Sequence, residues 1–283
     1  MKNVGILGLG NIANRVAKGI LCSEKACLYA VASREEKKAE NFAKRYGANT
    51  YYGSYEEMLR DENVDLVYLC TPNTFHYEQI KCCLSFGKHV ICEKPMVRNE
   101  KEVRELFALA RKHGCFLMEA HKTMFTPLNK KIKEMIEAGV IGKLHTIRAQ
   151  YCSLGLEDLR EDHWVLEEDM GGCTYDIGVY PICACHFYAD AKIKELQTEV
   201  IKNLGYRCDF GMEADIFYEN GIYASARSTW YYQSKEKGNW YSAGRGCQKR
   251  RCVQDLLLGI LRHCRDMRRF VRRRRFGGLQ PAQ

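Results

Sequence analysis

No stretch of the 283-residue chain approaches the roughly 20 consecutive apolar residues that a membrane-crossing helix needs, so no membrane span is expected. The N-terminus also lacks the pattern of a secretory leader. Met1-Lys2-Asn3 runs directly into the strand-like Val4-Gly5-Ile6-Leu7, with no cleavage motif behind it. The 15 cysteines form no C-x-x-C pair, and the one tight cluster, Cys183-x-Cys185-His186, has no second cluster to complete a zinc site. Several cysteines stand inside apolar strand-like runs, where cysteine acts as a small hydrophobe. No metal site is expected, and a reduced, cytoplasmic protein is favoured over a disulfide scaffold. The folded body also lacks a charge excess. The formal net charge is +9, but residues 245–283 hold 12 Lys/Arg against 2 Asp/Glu, which leaves about −1 for the rest. The basicity belongs to the tail, and a nucleic-acid partner is not expected for the body.

With 46% hydrophobic and 28% charged residues, the chain reads as globular and long enough for two domains. Its first motif follows the first strand: Gly8-Leu9-Gly10-Asn11-Ile12-Ala13 is G-x-G-x-x-A, and Ile12, Val16 and Ile20 then recur at helical spacing. The first glycine permits a tight turn, the second lets backbone approach a pyrophosphate, and the small Ala13 lets helix and strand pack closely. The helix N-terminus attracts the anion. The second strand, Leu28–Ala32, ends at Ser33-Arg34 and lacks the carboxylate there that binds a ribose 2′-hydroxyl in NAD-binding domains. A hydroxyl and a guanidinium suit a 2′-phosphate, so NADP(H) is favoured over NAD(H). The other reading of Arg34 is an ordinary cation at a helix start, beside Glu35 and Glu36.

The alternation continues with a helix over 35–46, a strand near 50–52, a helix near 54–60, a strand over 65–70, a helix over 75–84 and a strand over 89–92. Strands alternating with helices predict a parallel, doubly wound sheet, whose ligands gather at the carboxyl ends of its strands. Thr71, Pro72, Asn73, His76, Glu93, Lys94 and Pro95 all fall at such ends or just beyond them.

The motifs GLGNIA (8–13), CTPNTFH (70–76), EKP (93–95) and GGCTYDIGVYP (171–181), in that order, resemble the glucose-fructose oxidoreductase and inositol dehydrogenase (Gfo/Idh/MocA) family over about residues 2–230. The resemblance implies an N-terminal Rossmann domain followed by an α/β substrate domain with an open sheet that often mediates dimerisation. It implies NAD(P)-dependent hydride transfer to or from a sugar-like or cyclic alcohol or ketone. Lys94 would stand beside nicotinamide and substrate oxygen, where an ammonium stabilises developing negative charge. Asp176 would orient a substrate hydroxyl. Many members carry His where this chain has Tyr180. Tyrosine there resembles the dihydrodiol dehydrogenase-like branch, with the phenol as acid/base, its ordinary pKa of about 10 lowered by a neighbouring ammonium. The alternative is that Tyr180 packs in the core. His121 and Lys122, at the exit from the first domain, and His163 and Trp164, after Asp162, are further substrate candidates.

The expected organisation is a dinucleotide-binding domain over 1–120, a substrate domain over 121–235 and a basic tail over 236–283. In the second domain the sequence predicts a helix over 127–138, strands over 143–152, 195–202, 212–218 and 221–230, and a hairpin at Asn220-Gly221. The periodic pattern then stops, before the further strands and final helix that the resemblance implies, so the substrate sheet reads as truncated. A frame shift from about Gln233 would explain the change. The codons of Asn239-Trp240-Tyr241, read one base later, give Ile or Thr followed by Gly. Two other readings stay open: a cofactor-binding protein without turnover, and an Arg-rich tail that binds nucleic acid or an acidic surface. Sequencing codons 225–283 in three frames tests the shift. An open frame that continues the strand pattern is expected, and its absence makes the Arg-rich end a genuine feature.

Overall fold

A computed structural model of the chain describes residues 1–154, 163–203 and 205–231. Asp162, the basic tail and the frame question lie outside the described residues. The chain divides into two compact units: Met1–Val97 with Glu102–Ala120, and Arg98–Lys101 with the residues from His121 onward.

The first unit alternates strand and helix as its hydrophobic pattern predicts: β1 (Lys2–Leu7), α1 (Asn11–Leu21), β2 (Ala26–Ala32), α2 (Glu36–Tyr46), β3 (Thr50–Tyr52), α3 (Tyr55–Arg60), β4 (Leu66–Leu69), α4 (His76–Ser85), β5 (His89–Cys92), α5 (Glu100–Lys112, whose first residues belong to the second unit) and β6 (Leu117–Glu119). The strands form one sheet in the order β3-β2-β1-β4-β5-β6, all neighbours parallel. The order reverses between β1 and β4, which opens a crevice at the carboxyl ends of those two strands. Two apolar cores lie against the sheet. Ile6, Val31, Ala13, Ala17 and Phe42 belong to one, and Leu7, Val67, Leu69, Ile80, Val90 and Leu106 to the other. Ile6 and Leu7 thus face opposite ways, as successive strand residues must. The buried stripe of α1 is Ala13, Ala17 and Ile20, with Ile12 and Val16 only partly covered. The helix therefore meets the sheet mainly through small side chains. The sequence reading did not place α5, whose buried residues are Val103, Leu106 and Ala110.

The second unit holds α6 (Pro127–Glu137), β7 (Thr146–Cys152), α7 (Val179–Ala189), β8 (Ile193–Lys202), β9 (Asp209–Tyr218) and β10 (Tyr223–Thr229). Thr126 caps α6, accepting a hydrogen bond from the Asn129 N–H, and Pro127 takes the first helical position. The sheet order is β7-β10-β9-β8, with β7 parallel to β10 and the other pairs antiparallel. The β9–β10 hairpin turns at Asn220-Gly221, where Gly221 N donates to Tyr218 O. Together the units make an α/β chain with a doubly wound parallel sheet and a smaller mixed sheet.

Candidate functional site

At the crevice of the first unit, β1 passes into α1 through Gly8, Leu9 and Gly10. Gly8 has φ +89°, and a Cβ there would stand 2.7 Å from Thr71 Cγ2. Only glycine meets both demands. A Cβ on Gly10 would meet nothing within 4 Å, so the backbone before α1 faces open space. Gly10 gives α1 no side-chain cap, and the first turn carries no acidic residue. Uncapped N–H groups, Asn11 and Ile12 among the first, therefore stand at the positive end of an 11-residue helix. These features fit the pyrophosphate of a dinucleotide.

Ser33 and Arg34 follow β2 on the same sheet edge. Ser33 is buried, and its hydroxyl accepts from the Glu35 N–H at 3.2 Å. Arg34 is exposed, and its guanidinium lies beside the Tyr55 hydroxyl. After β4, Thr71 donates through Oγ1 to Gln79 Oε1 at 2.5 Å, and buried Asn73 opens a short 3-10 turn into α4. Pro72 precedes that turn with an extended ψ of 148°.

The Glu93-Lys94-Pro95-Met96 turn leaves β5 and is held from three sides. Glu93 N donates to Leu69 O at 3.1 Å, and the Tyr68 hydroxyl on β4 donates to Glu93 Oε1 at 3.0 Å. The ring of His76, on α4, lies between two backbone carbonyls, with Nδ1 2.9 Å from Pro95 O and Nε2 2.9 Å from Thr71 O. Burial holds this imidazole below its ordinary pKa, and a neutral ring gives its single N–H to one carbonyl at a time. The Met96 N–H donates to Glu119 Oε1, at the end of β6, at 2.8 Å. The Lys94–Pro95 bond is cis. Lys94 is half-buried, on a turn whose flanking groups are committed to neighbours.

In the second unit, Thr174–Gly178 winds as a π-helical turn and continues into α7. The segment is helical, and its π-helical start, which holds Asp176, is wound more widely than the α-helix that holds Tyr180. Asp209 anchors the start of this turn, with Oδ2 accepting from Thr174 N at 2.9 Å and from Thr174 Oγ1 at 2.8 Å. Gly172, with φ +87°, leaves room for that carboxylate where a Cβ would collide with Asp209 Oδ1. Tyr180 is half-buried against the cluster of Val165, Cys173, Ile177, Phe210 and Trp230. Its ring meets His121 and Tyr151 edge-on at centroid distances of 5.2 and 5.4 Å, and Lys122 Nζ lies 5.9 Å from the ring centre. The ring thus packs partly in a core, while a cation stands over it. Buried His121 has Nδ1 2.8 Å from Thr123 Oγ1 and Nε2 3.3 Å from Val179 O, so both nitrogens are engaged within the protein. His163 Nδ1 accepts from Val165 N, and Trp164 packs against the same cluster as Tyr180.

Comparison with known proteins accounts for both units. A family model described as an oxidoreductase family with an NAD-binding Rossmann fold matches residues 2–121, and one described as the GFO/IDH/MocA C-terminal domain matches residues 129–245. The chain belongs to the Gfo/Idh/MocA oxidoreductase family. It is 36% identical over 178 residues to the trans-1,2-dihydrobenzene-1,2-diol dehydrogenase of Xenopus tropicalis, covering 62% of this chain and 53% of that one. It is also 36% identical over 198 residues to the D-xylose 1-dehydrogenase (NADP(+)) of Hypocrea jecorina, covering 63% of this chain and 50% of that one. Among solved structures it is similar to KijD10, a 3-ketoreductase from Actinomadura kijaniata in complex with NADP and TDP-benzene. That match has 28% identity and a TM-score of 0.75, and covers 82% of this chain and 71% of that one. The chain spans about half the length of these curated relatives.

Within this Gfo/Idh/MocA chain, the structure gathers Gly8, Gly10, Ser33, Arg34, Thr71, Asn73, Glu93 and Lys94 on one edge of the first sheet. It gathers His121, Lys122, Tyr151, Trp164 and Tyr180 within the second unit. Sequence reasoning missed Tyr68, Glu119, Tyr151 and Asp209. Glu119 had a weak signal, a carboxylate closing the short apolar run Leu117-Met118, whose partner β5 only the folded sheet supplies. Asp209 had none, because its partner Thr174 lies 35 residues away. Among the described residues, no helix is long and apolar enough to cross a membrane.

Burial pushes the Asp209 carboxyl up to about 6, against hydrogen bonds from Thr174 that favour the charged form. A raised carboxyl keeps its proton in the folded chain after the unfolded chain has released it. Stability linked to Asp209 is therefore highest below the unfolded value of 3.8 and declines as pH rises to about 6, by about 3 kcal/mol in total. Denaturant melts of Asp209→Asn across this range are expected to show that decline removed. An unchanged pH dependence would contradict this placement of Asp209.

Proposed function

We propose that this chain is an NADP(H)-dependent oxidoreductase that moves hydride between nicotinamide and the carbon of a sugar-like or cyclic alcohol or ketone. The observation that carries the reading is the Glu93–Met96 turn. It stands on the sheet edge that also bears the Gly8–Gly10 loop, and Tyr68, His76 and Glu119 fix it from two strands and one helix. An enzyme needs its charge-stabilising group preorganised, so that no reorganisation is required during reaction. The bound dinucleotide supplies the hydride. Lys94 holds its ammonium toward the substrate oxygen and offsets the charge that develops there. Tyr180, with Lys122 over its ring, is the second unit's candidate for proton transfer. Asp176 accepts a hydrogen bond from a substrate hydroxyl and so orients the reacting carbon. Within the second unit, His163, Trp164 and Lys122 are the further candidates for substrate contact. The substrate class is supported by the dihydrodiol, xylose and 3-keto chemistry named for similar proteins.

The 2′-phosphate preference is supported by exposed Arg34 and by Ser33, with no carboxylate at either position. NADP also appears in the names of two similar proteins. We place the protein in the cytoplasm, where its buried free thiols, Cys70, Cys83 and Cys92 among them, stay reduced. A second copy against the four-stranded sheet is the macromolecular partner this reading carries.

Two substitutions test it. Lys94→Ala is expected to leave NADPH affinity within about twofold while lowering kcat by about a hundredfold or more. Equal losses in binding and turnover would remove Lys94 from the chemistry. Arg34→Ala is expected to weaken NADPH by about tenfold, or ~1.4 kcal/mol, and to leave NADH nearly unchanged. An equal loss for both cofactors, measured by fluorescence titration, would refute the phosphate assignment.

A further inference from the structure

Glu119 has entered so far only as one of the anchors of the Glu93–Met96 turn, yet its position is unusual for a carboxyl group. It is only 3% exposed and ends the edge strand β6, where it pairs in register with Cys92 on β5. The strand is locked to β5 beyond this point by Ala120 N donating to Cys92 O at 2.7 Å. From there the side chain accepts the Met96 N–H, the backbone group that closes the Glu93–Met96 turn. The charged side chains that bear on it include two from that turn: the Lys94 ammonium, which favours its ionised form, and the Glu93 carboxylate, which opposes it. The Cys92 thiol beneath it is buried and pushed well above its ordinary range, so it adds no charge. His76 and Tyr68 reach the same turn through Pro95 and Glu93 respectively.

We propose that Glu119 is a positioning residue whose charge state sets how firmly the Glu93–Met96 turn is held and the Lys94 ammonium settled. The inference rests on the reading of Lys94 given above. A protonated Glu119 accepts weakly from Met96 N–H and adds no field at Lys94. The carboxylate makes a charge-assisted hydrogen bond and places a second anion, with Glu93, beside the ammonium. Burial, the largest influence, pushes the Glu119 carboxyl up to about 7, with the Met96 N–H and Lys94 pulling it back. Its charge therefore changes where enzymes commonly work, whereas an exposed glutamate would be ionised throughout that range. A purely structural anchor would behave differently, because a neutral glutamine oxygen accepts an N–H equally well at every pH.

The test reads the turn directly, without cofactor or substrate. In the full chain labelled with 15N-methionine, the Met96 amide (assigned by its loss in Met96→Leu) is followed from about pH 5 to 9. The expected result is one inflection near neutrality in the native chain and none in Glu119→Gln, with the amide retained. In the Lys94→Ala chain the inflection should persist and move to higher pH, because the favourable cation is gone. With NADPH and a turned-over substrate, kcat should rise by about tenfold through the same range in the native chain and stay flat in Glu119→Gln, with KM for NADPH within about twofold. An unshifted Met96 amide in the native chain, or an inflection that survives Glu119→Gln, would overturn the proposal. If Glu119→Gln does not fold, 13C-labelled glutamate carboxyls of the native chain serve instead, and the absence of any titrating near neutrality overturns it equally. Failure to find a reducible substrate would count against the enzymatic reading alone, because the amide titration is measured without one.

Discussion

The hydrogen bonds that pin the Glu93–Met96 turn are the constraint on which the rest of the site depends. A turn that leaves the middle of a buried parallel sheet carries backbone groups that water cannot reach, and each left unpaired would cost about 1–3 kcal/mol. Here Leu69, Tyr68, His76 and Glu119 satisfy the turn from β4, α4 and β6. The same bonds that make burial tolerable also remove conformational freedom around Lys94. The ammonium is thereby presented by a rigid backbone at the carboxyl edge of the sheet, beside the loop that suits a pyrophosphate. Stability and chemical preorganisation come from one set of contacts.

The second unit follows a parallel logic with different parts. Asp209 holds the start of the Thr174–Gly178 turn as Glu119 holds the end of the Glu93–Met96 turn, each a carboxyl accepting a backbone N–H. Both carboxyls are pushed upward by burial, Glu119 to about 7 and Asp209 to about 6. Neither resembles a surface salt bridge, which would contribute little and vary with salt. The exposed pairs on the helices, such as Lys44 with Glu40 and Arg60 with Glu56, belong to that weaker class.

Much of this architecture was legible in the sequence, because its signals are local. The period-two and helical patterns placed β1 to β5, and G-x-G-x-x-A and the Thr71-Pro72-Asn73 and Glu93-Lys94-Pro95 segments fell at strand ends. The departures also have physical causes. Ala13 and Ala17 bury more deeply than Ile12 and Val16, because the helix closes onto the sheet through its smallest side chains. The π-helical turn at Thr174–Gly178 is bonded at its start to Asp209, contributed from a distant strand, which no local pattern encodes. His121, a substrate candidate from its place at the exit of the first domain, has contacts to Thr123 and Val179 that only the folded chain brings to its two nitrogens. Glu119 was passed over because one carboxylate after Leu117-Met118 reads as a strand end. Its meaning appears only when the parallel sheet sets β6 beside β5.

The central claim is that a preorganised Lys94 turn serves hydride transfer, and isotope transfer tests it most directly. NADPH carrying deuterium at the nicotinamide C4, in either stereochemical position, would be incubated with the full chain and a panel of cyclic ketones, diketones and keto sugars. Deuterium at the new carbinol carbon, from one C4 position only and lost in Lys94→Ala, is the predicted result. NADPH that binds the chain yet passes no label to any carbonyl of the panel would contradict it.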